Sequence, residues 1–373
     1  MAADATTTPL ELDRASPEVK RYQRQKITIL LVNTILSLGW LALLGFVVGP
    51  RLGQETAGWE PWLRLLASAA LLGVTLEVLT FPLDYYSRFV LEHRYQLSNQ
   101  SLGGWLWKRL KGYLVGGGFG LLFVFGLYWI LAVAGPWWWL CATAAWLVVT
   151  LVLGRLLPVV ILPLFYKVTR LEDAALLERL KKLTIGTSLS IEGVYELHLS
   201  EETKKANAAL AGLGNTRRVL LGDTLLAQFT PEEIEVVFAH EVGHHVHRHL
   251  LKSIVLSVGL SLVGFWLVDQ VLTASTLWLG YQGVDDPAAL PLLLFVLAVF
   301  GLLLGPPQNA LSRFYERQCD RYALDHTHNK DAYRSAFIKL ATINKSDPDP
   351  HPLVALLFHD HPPIRERLAM AEI

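Results

Sequence analysis

Apolar residues in this chain gather into six runs, residues 27–49, 62–82, 113–135, 137–157, 253–275 and 290–305, separated by polar stretches. A helix needs about 20 apolar residues to cross the roughly 30 Å of hydrocarbon in a bilayer. Most of the runs reach that length; the last is short, with room to continue past Pro306 and Pro307. The pattern predicts a mostly α, polytopic membrane protein with about six transmembrane helices. Between the third and fourth runs, "GPWWWL" sets three tryptophans at a tight hairpin, as an interfacial belt would.

Residues 166–252 read differently, as a small α+β unit. "LEDAALLERLKKL" has helical spacing, "GVYELHL" alternates like a strand, and "NAALAG" and "RRVLLG" flank a "GLGN" turn as two further strands. Then "TPEEIEVVFAHEVGHHVHRHL" opens a helix, with Thr230 as N-cap, Pro231 in the first helical position and Glu233 completing a capping box. The expected organisation is a flexible tail at 1–16, four spans in 17–165, the α+β unit at 166–252, two spans in 253–305 and a helical C-terminal part at 306–373.

Charge supplies the topology. Arg14, Lys20, Arg21, Arg24 and Lys26 precede the first run, and Arg88, Arg94, Lys108, Arg109 and Lys111 follow the second. The loop after the first run has little beyond Arg51, and "TLWLGYQGVDDPAA" has no basic residue. This alternation places both termini and both large polar pieces on the cytoplasmic side. Lys plus Arg and Asp plus Glu balance at 33 each, which gives no reason to expect nucleic acid. The two cysteines, Cys141 and Cys319, do not make a disulfide framework, and the first apolar run is too late and too long for a signal peptide. Two acids fall inside spans, Glu77 and Asp269. Each either faces a wet interior or hydrogen-bonds a neighbour.

The chemistry lies in "AHEVGHHVHRH", where residues 240–249 hold five histidines. His240 and His244 are one helical turn apart and share a face. His-Glu-x-x-His on a helix is the metalloprotease zinc pattern, with Glu241 as general base, and imidazole plus carboxylate with an open position suits Zn2+. His247 lies about 10 Å along the axis from His240, too far to join a metal bonded at about 2.1 Å. His245 and His249 point to the opposite side, and the surplus histidines are expected to form a polar, titratable cuff where the helix enters the membrane. A third ligand must come from elsewhere. "NALSRFYERQCDRYALDHT" offers Glu316 and, one turn later, Asp320, a carboxylate ligand and a carboxylate to orient a ligand histidine. His244 and Glu316 each stand about 13–17 Å along helices from a span, so the metal belongs at a membrane face.

These residues, with "PLDYYSRFVLEHRYQLSNQSL", "PLFYKVTRL", "ANAALAGLGNTRRVLLGDTLL", "SRFYERQCD" and "HDHPPIRERL", resemble the type-1 CAAX prenyl proteases over nearly the whole chain. Those are integral-membrane zinc metallopeptidases with HExxH and a downstream ExxxD. The resemblance implies zinc ligands at His240, His244 and Glu316, the base at Glu241, and Asp320 as partner of a ligand histidine. It implies that Asn207 and Ala208 lie on an edge strand that pairs with substrate backbone, and that His361 and Arg367 help hold substrate or the developing oxyanion. It also implies a zincin-like fold for the α+β unit, and a water-filled chamber within the helix ring that would give Glu77 and Asp269 a home.

Three departures stand out. The family's eukaryotic members have seven spans and a long hydrophilic insertion before the zinc helix, both unmatched here, and Cys319 stands where alanine is usual. These suggest a bacterial member in the cytoplasmic (inner) membrane, with the endoplasmic reticulum membrane as the site if the source is eukaryotic. The expected substrate is a peptide or membrane protein, either a prenylated CAAX terminus or, in bacteria, a membrane protein undergoing quality control. A transporter would explain the spans and acids but not a capped HExxH helix; an inactive scaffold would not need Glu241.

Overall fold

The computed structural model describes residues 16–187, 189 and 193–372, so the expected tail, save Ser16, lies outside the described residues. Among the described residues, five stretches are long and apolar enough to cross a membrane: Pro17–Glu55 (α1), Pro61–Arg94 (α2), Leu102–Phe165, His249–Thr276 and Pro287–Thr327. The third turns back on itself at Gly135, whose φ of 53° is a left-handed conformation that favours glycine. It therefore supplies two helices, Leu102–Ala134 (α3) and Trp138–Leu156 (α4), which meet where Phe123 packs edge-on against Trp146.

The tryptophan trio does not form a uniform belt. Trp137 is exposed, whereas Trp138 is fully buried and donates from Nε1 to Asp269 Oδ1 at 2.7 Å. An acid inside a span needs a donor, and the indole N–H supplies it. Glu77 is likewise partnered, by Arg109 at 2.5 Å. A cavity of about 630 Å3 lies among the membrane helices, with Ser253, Ser257, Phe300 and Ser312 in its walls; neither acid lines it. Both acids thus have a hydrogen-bonding neighbour. At the far end of the bundle Arg64 and Asp286 form a buried pair at 2.7 Å.

The polar part is built on a four-stranded sheet of order β1–β2–β4–β3: Val168–Arg170 (β1), Gly193–Leu197 (β2), Ala208–Ala211 (β3) and Arg218–Gly222 (β4). β2 and β4 are parallel and the outer strands antiparallel, leaving β3 as an edge. Leu180, from the helix Ala174–Lys182 (α5), joins Val219, Leu221, Leu225 and Phe238 in one core beneath it.

The HEVGH helix is Pro231–Val246 (α6) and carries the capping box that its sequence predicts. Thr230 Oγ1 accepts from Glu233 N at 3.3 Å, and Glu233 Oε2 accepts from Thr230 N at 2.8 Å. It does not run on into the membrane. Arg248 adopts φ 57°, and a new helix, His249–Leu279 (α7), begins there. Leu290–Thr327 (α8) passes through Pro306 and Pro307 unbroken and carries the last apolar run out into the polar part. Lys330–Ile343 (α9), Pro352–Phe358 (α10) and Ile364–Met370 (α11) complete the chain.

Candidate metal centre

α6 and α8 approach closely because Gly243 lacks a side chain. A Cβ there would lie 3.0 Å from the Cα of Cys319. That contact brings Glu316 across the interface onto the shared face of His240 and His244. His240 Nε2 is 3.1 Å from Glu316 Oε2, and His244 Nε2 is 3.2 Å from Glu316 Oε1. Two donors bonded at 2.0–2.1 Å in a tetrahedral site stand about 3.3 Å apart, so each imidazole stands at ligand-like spacing from one oxygen of the Glu316 carboxylate. Glu316 Oε2 is buried and, among the described residues, has no hydrogen-bond partner. A carboxylate oxygen buried without a donor is costly unless a cation takes its lone pair. The donor set fits a divalent metal.

Beneath the imidazoles lies a buried ionic support. Asp320, fully buried, sits 2.9 Å from His240 Nδ1 and accepts from Arg367 Nε at 2.9 Å. Burial alone would lower the His240 pKa, but the bond to Asp320 and the nearby Glu316 carboxylate override it and raise it to about 9. With Nδ1 tied to Asp320, Nε2 is the nitrogen presented to a metal. Arg367 is buried, its guanidinium 3.8 Å above the Phe337 ring. It contacts Asp320 and His240 and also lines the cleft beside His361.

Glu241 lies across the site, and its Oε2 accepts from Leu210 N on β3 at 3.2 Å. A cleft of about 450 Å3 runs past Asn207, Ala208, His240, Glu241 and His361. His361 is half exposed there, with Nε2 3.4 Å from Glu316 Oε2. Its Nδ1 meets Asp360 at 2.8 Å, and that bond raises its pKa. Just before β3, Asn207 O accepts from Gly222 N, so the Asn207 backbone is engaged inside the sheet and Ala208 is the residue whose backbone faces outwards.

The break at Arg248 overturns one expectation. His249 does not point away. It folds back, buried, to place Nδ1 3.2 Å from His244 Nδ1 while its Nε2 meets Gln318 Oε1 at 2.9 Å. His247 stacks on the His249 ring and His245 pairs with Arg217, so neither joins the group. Cys319 is fully buried, and its sulfur lies within 4.8 Å of ring nitrogens of both His240 and His244. His249, Gln318 and Asp360 escaped the sequence reading as partners of the centre. Only the histidine run hinted at the first, and extrapolating a straight helix sent it the wrong way.

Two family models match the chain: "Peptidase family M48" over residues 170–372 and "CAAX prenyl protease N-terminal, five membrane helices" over residues 13–167. Among curated relatives, the uncharacterized metalloprotease YhfN of Bacillus subtilis is 30% identical, over 83% of this chain and 74% of that protein. The CAAX prenyl protease 1 homolog of Arabidopsis thaliana is 29% identical, over 92% and 81%. The human homolog is 27% identical, over 90% and 79%. The crystal structure of S. mikatae Ste24p shares the fold, with a TM-score of 0.82 at 23% identity, covering 95% of this chain and 88% of that one.

Proposed function

Since the chain belongs to peptidase family M48, as a multi-pass membrane metalloprotease, we propose that it is a zinc endopeptidase whose ion is held by His240, His244 and Glu316. The observation that carries the assignment is the meeting of two Nε2 atoms with a buried carboxylate whose Oε2 lacks a donor. Bound there, zinc would acidify a water and polarise the scissile carbonyl. The remaining steps fall to side chains of the cleft.

Glu241 takes the proton of the attacking water and passes it to the leaving amine. Its anchor on Leu210 N holds the carboxylate beside the substrate edge. His361, whose Nδ1 is held by Asp360, donates from Nε2 to the oxyanion that forms as the carbonyl is attacked. Asp320 and Arg367 fix the ring of His240 from behind. An extended peptide adds to the free edge of β3 at Asn207–Ala208.

The distribution of Lys and Arg supports a cytoplasmic-facing site, and the likeness to the Bacillus protein supports a bacterial cytoplasmic membrane. The relatives named CAAX prenyl protease 1 support a prenylated C-terminal peptide as substrate, with unmodified membrane-protein loops as the second reading. One experiment addresses both. Purified protein is incubated with a prenylated CAAX peptide and an unmodified loop peptide, with and without chelator, and the products are read by mass spectrometry. Chelator-sensitive cleavage of the prenylated peptide is expected. Cleavage of the loop alone would move the substrate to quality control, and no product from either would sink the hydrolase.

A further inference from the structure

The cleft has an end wall made by one side chain. Asn207 O accepts from Gly222 N just before β3, so alternate residues on β3 and the segment leading into it turn their backbone groups to the free edge: Ala206, Ala208 and Leu210. Leu210 N donates to Glu241. At the other end, Asn344 Oδ1 accepts from Ala206 N at 2.9 Å and Asn344 Nδ2 donates to Ala206 O at 3.1 Å. The carboxamide makes the two hydrogen bonds that a neighbouring strand would make with Ala206. Between these ends Ala208 is left, among the described residues, with both backbone groups facing the cleft.

We propose that Asn344 determines specificity by closing the β3 edge, so that substrate pairs with Ala208 and is stopped two residues later. The idea rests on the hydrolase reading above and on strand addition at β3. Asn344 sits in the cleft wall beside Ser346 and Asp347, just past the end of α9, where its backbone N–H is bonded to Leu340 O. It is thus fixed on a packed helix rather than a loose loop. From Leu210 to Ala206 the edge is about 13 Å long at about 3.3 Å per residue. An extended substrate finds one free backbone pair on that side of the scissile bond, not a continuous ladder. The enzyme therefore grips a short segment there, however long the polypeptide is.

The test compares kcat/KM for zinc-loaded wild type and Asn344→Ala on a peptide series lengthened one residue at a time on that side. Wild type should gain until the substrate reaches Ala208 and then level off. N344A frees the Ala206 pair, so its ratio of long-peptide to short-peptide kcat/KM should rise further, by about tenfold for two added backbone hydrogen bonds. Equal plateau lengths in the two enzymes would overturn the proposal. Should N344A fail to fold, an N-methyl scan of the substrate on wild type decides. One sensitive backbone N–H is expected on that side, and a second sensitive position two residues further out would overturn the end wall. Absence of any cleavage by zinc-loaded wild type would instead overturn the hydrolase reading, and this proposal with it.

Discussion

The proposed roles separate single side chains of the centre into metal ligands and groups that act on substrate, and substitutions should divide the same way. Glu241→Gln keeps every ligand, so metal content should stay at one equivalent while turnover falls by about 10²–10⁴. Full activity in that variant would remove the general base. Glu316→Ala, by contrast, should lose metal, read by atomic absorption after dialysis. His361→Ala should lower kcat by about 10²-fold with metal retained; metal loss would make it a ligand. Asp320→Ala leaves His240 without its buried acceptor and Arg367 without its partner. A 10–100-fold loss of metal affinity is expected from the orienting bond alone.

At the scale of elements, the α6–α8 contact at Gly243 is what sets the centre. Gly243→Val would press on the Cys319 backbone 3.0 Å away, so Cys319→Ala should not relieve it. Weaker metal binding in both the single and the double variant is the expected titration result. The start of α6 offers a pH-dependent test. Burial would raise the Glu233 pKa, but Lys339, Ser335 and the Thr230 N–H lower it below 4.5. A depressed carboxylate contributes stability above its unfolded pKa and loses it as pH falls through the folded value. Glu233→Gln should therefore cost about 1 kcal/mol near neutrality and show a smaller further loss than wild type at acid pH, followed by thermal unfolding in detergent.

Local signals made much of this legible. The capping box, the strand in "NAALAG" and the paired Glu316 and Asp320 all follow from short-range chemistry that survives in the folded chain. The end of α6 was not legible, because "HHVHRHLLKS" has no Gly or Pro to mark a break. A left-handed arginine costs roughly 1–2 kcal/mol, so packing around His249 rather than local preference must hold it. Trp138 failed for a related reason. The pattern marked an interface, and only the tertiary neighbour Asp269 explains why that indole turns inwards.

The core among the membrane helices and the core under the sheet are both reached by α8, through Leu290, Leu292 and Leu293 at one end and Tyr322 at the other. Far from the cleft, the Arg64–Asp286 pair ties the opposite end of the bundle together. Asp286→Ala strands a buried guanidinium and should cost about 3–5 kcal/mol of stability, with the metal affinity of the folded fraction unchanged. A shift in metal affinity would mean that the two ends are coupled.

The left-handed joint at Arg248 has a mechanical consequence. The first residue of a membrane-crossing rod, His249, leans on the ring of His244, a proposed ligand, so the rod's tilt reaches the proposed centre through one imidazole contact. Lipids with shorter or longer acyl chains alter how such a rod leans. In nanodiscs graded by acyl length, turnover should pass through an optimum thickness, and His249→Ala should flatten that dependence.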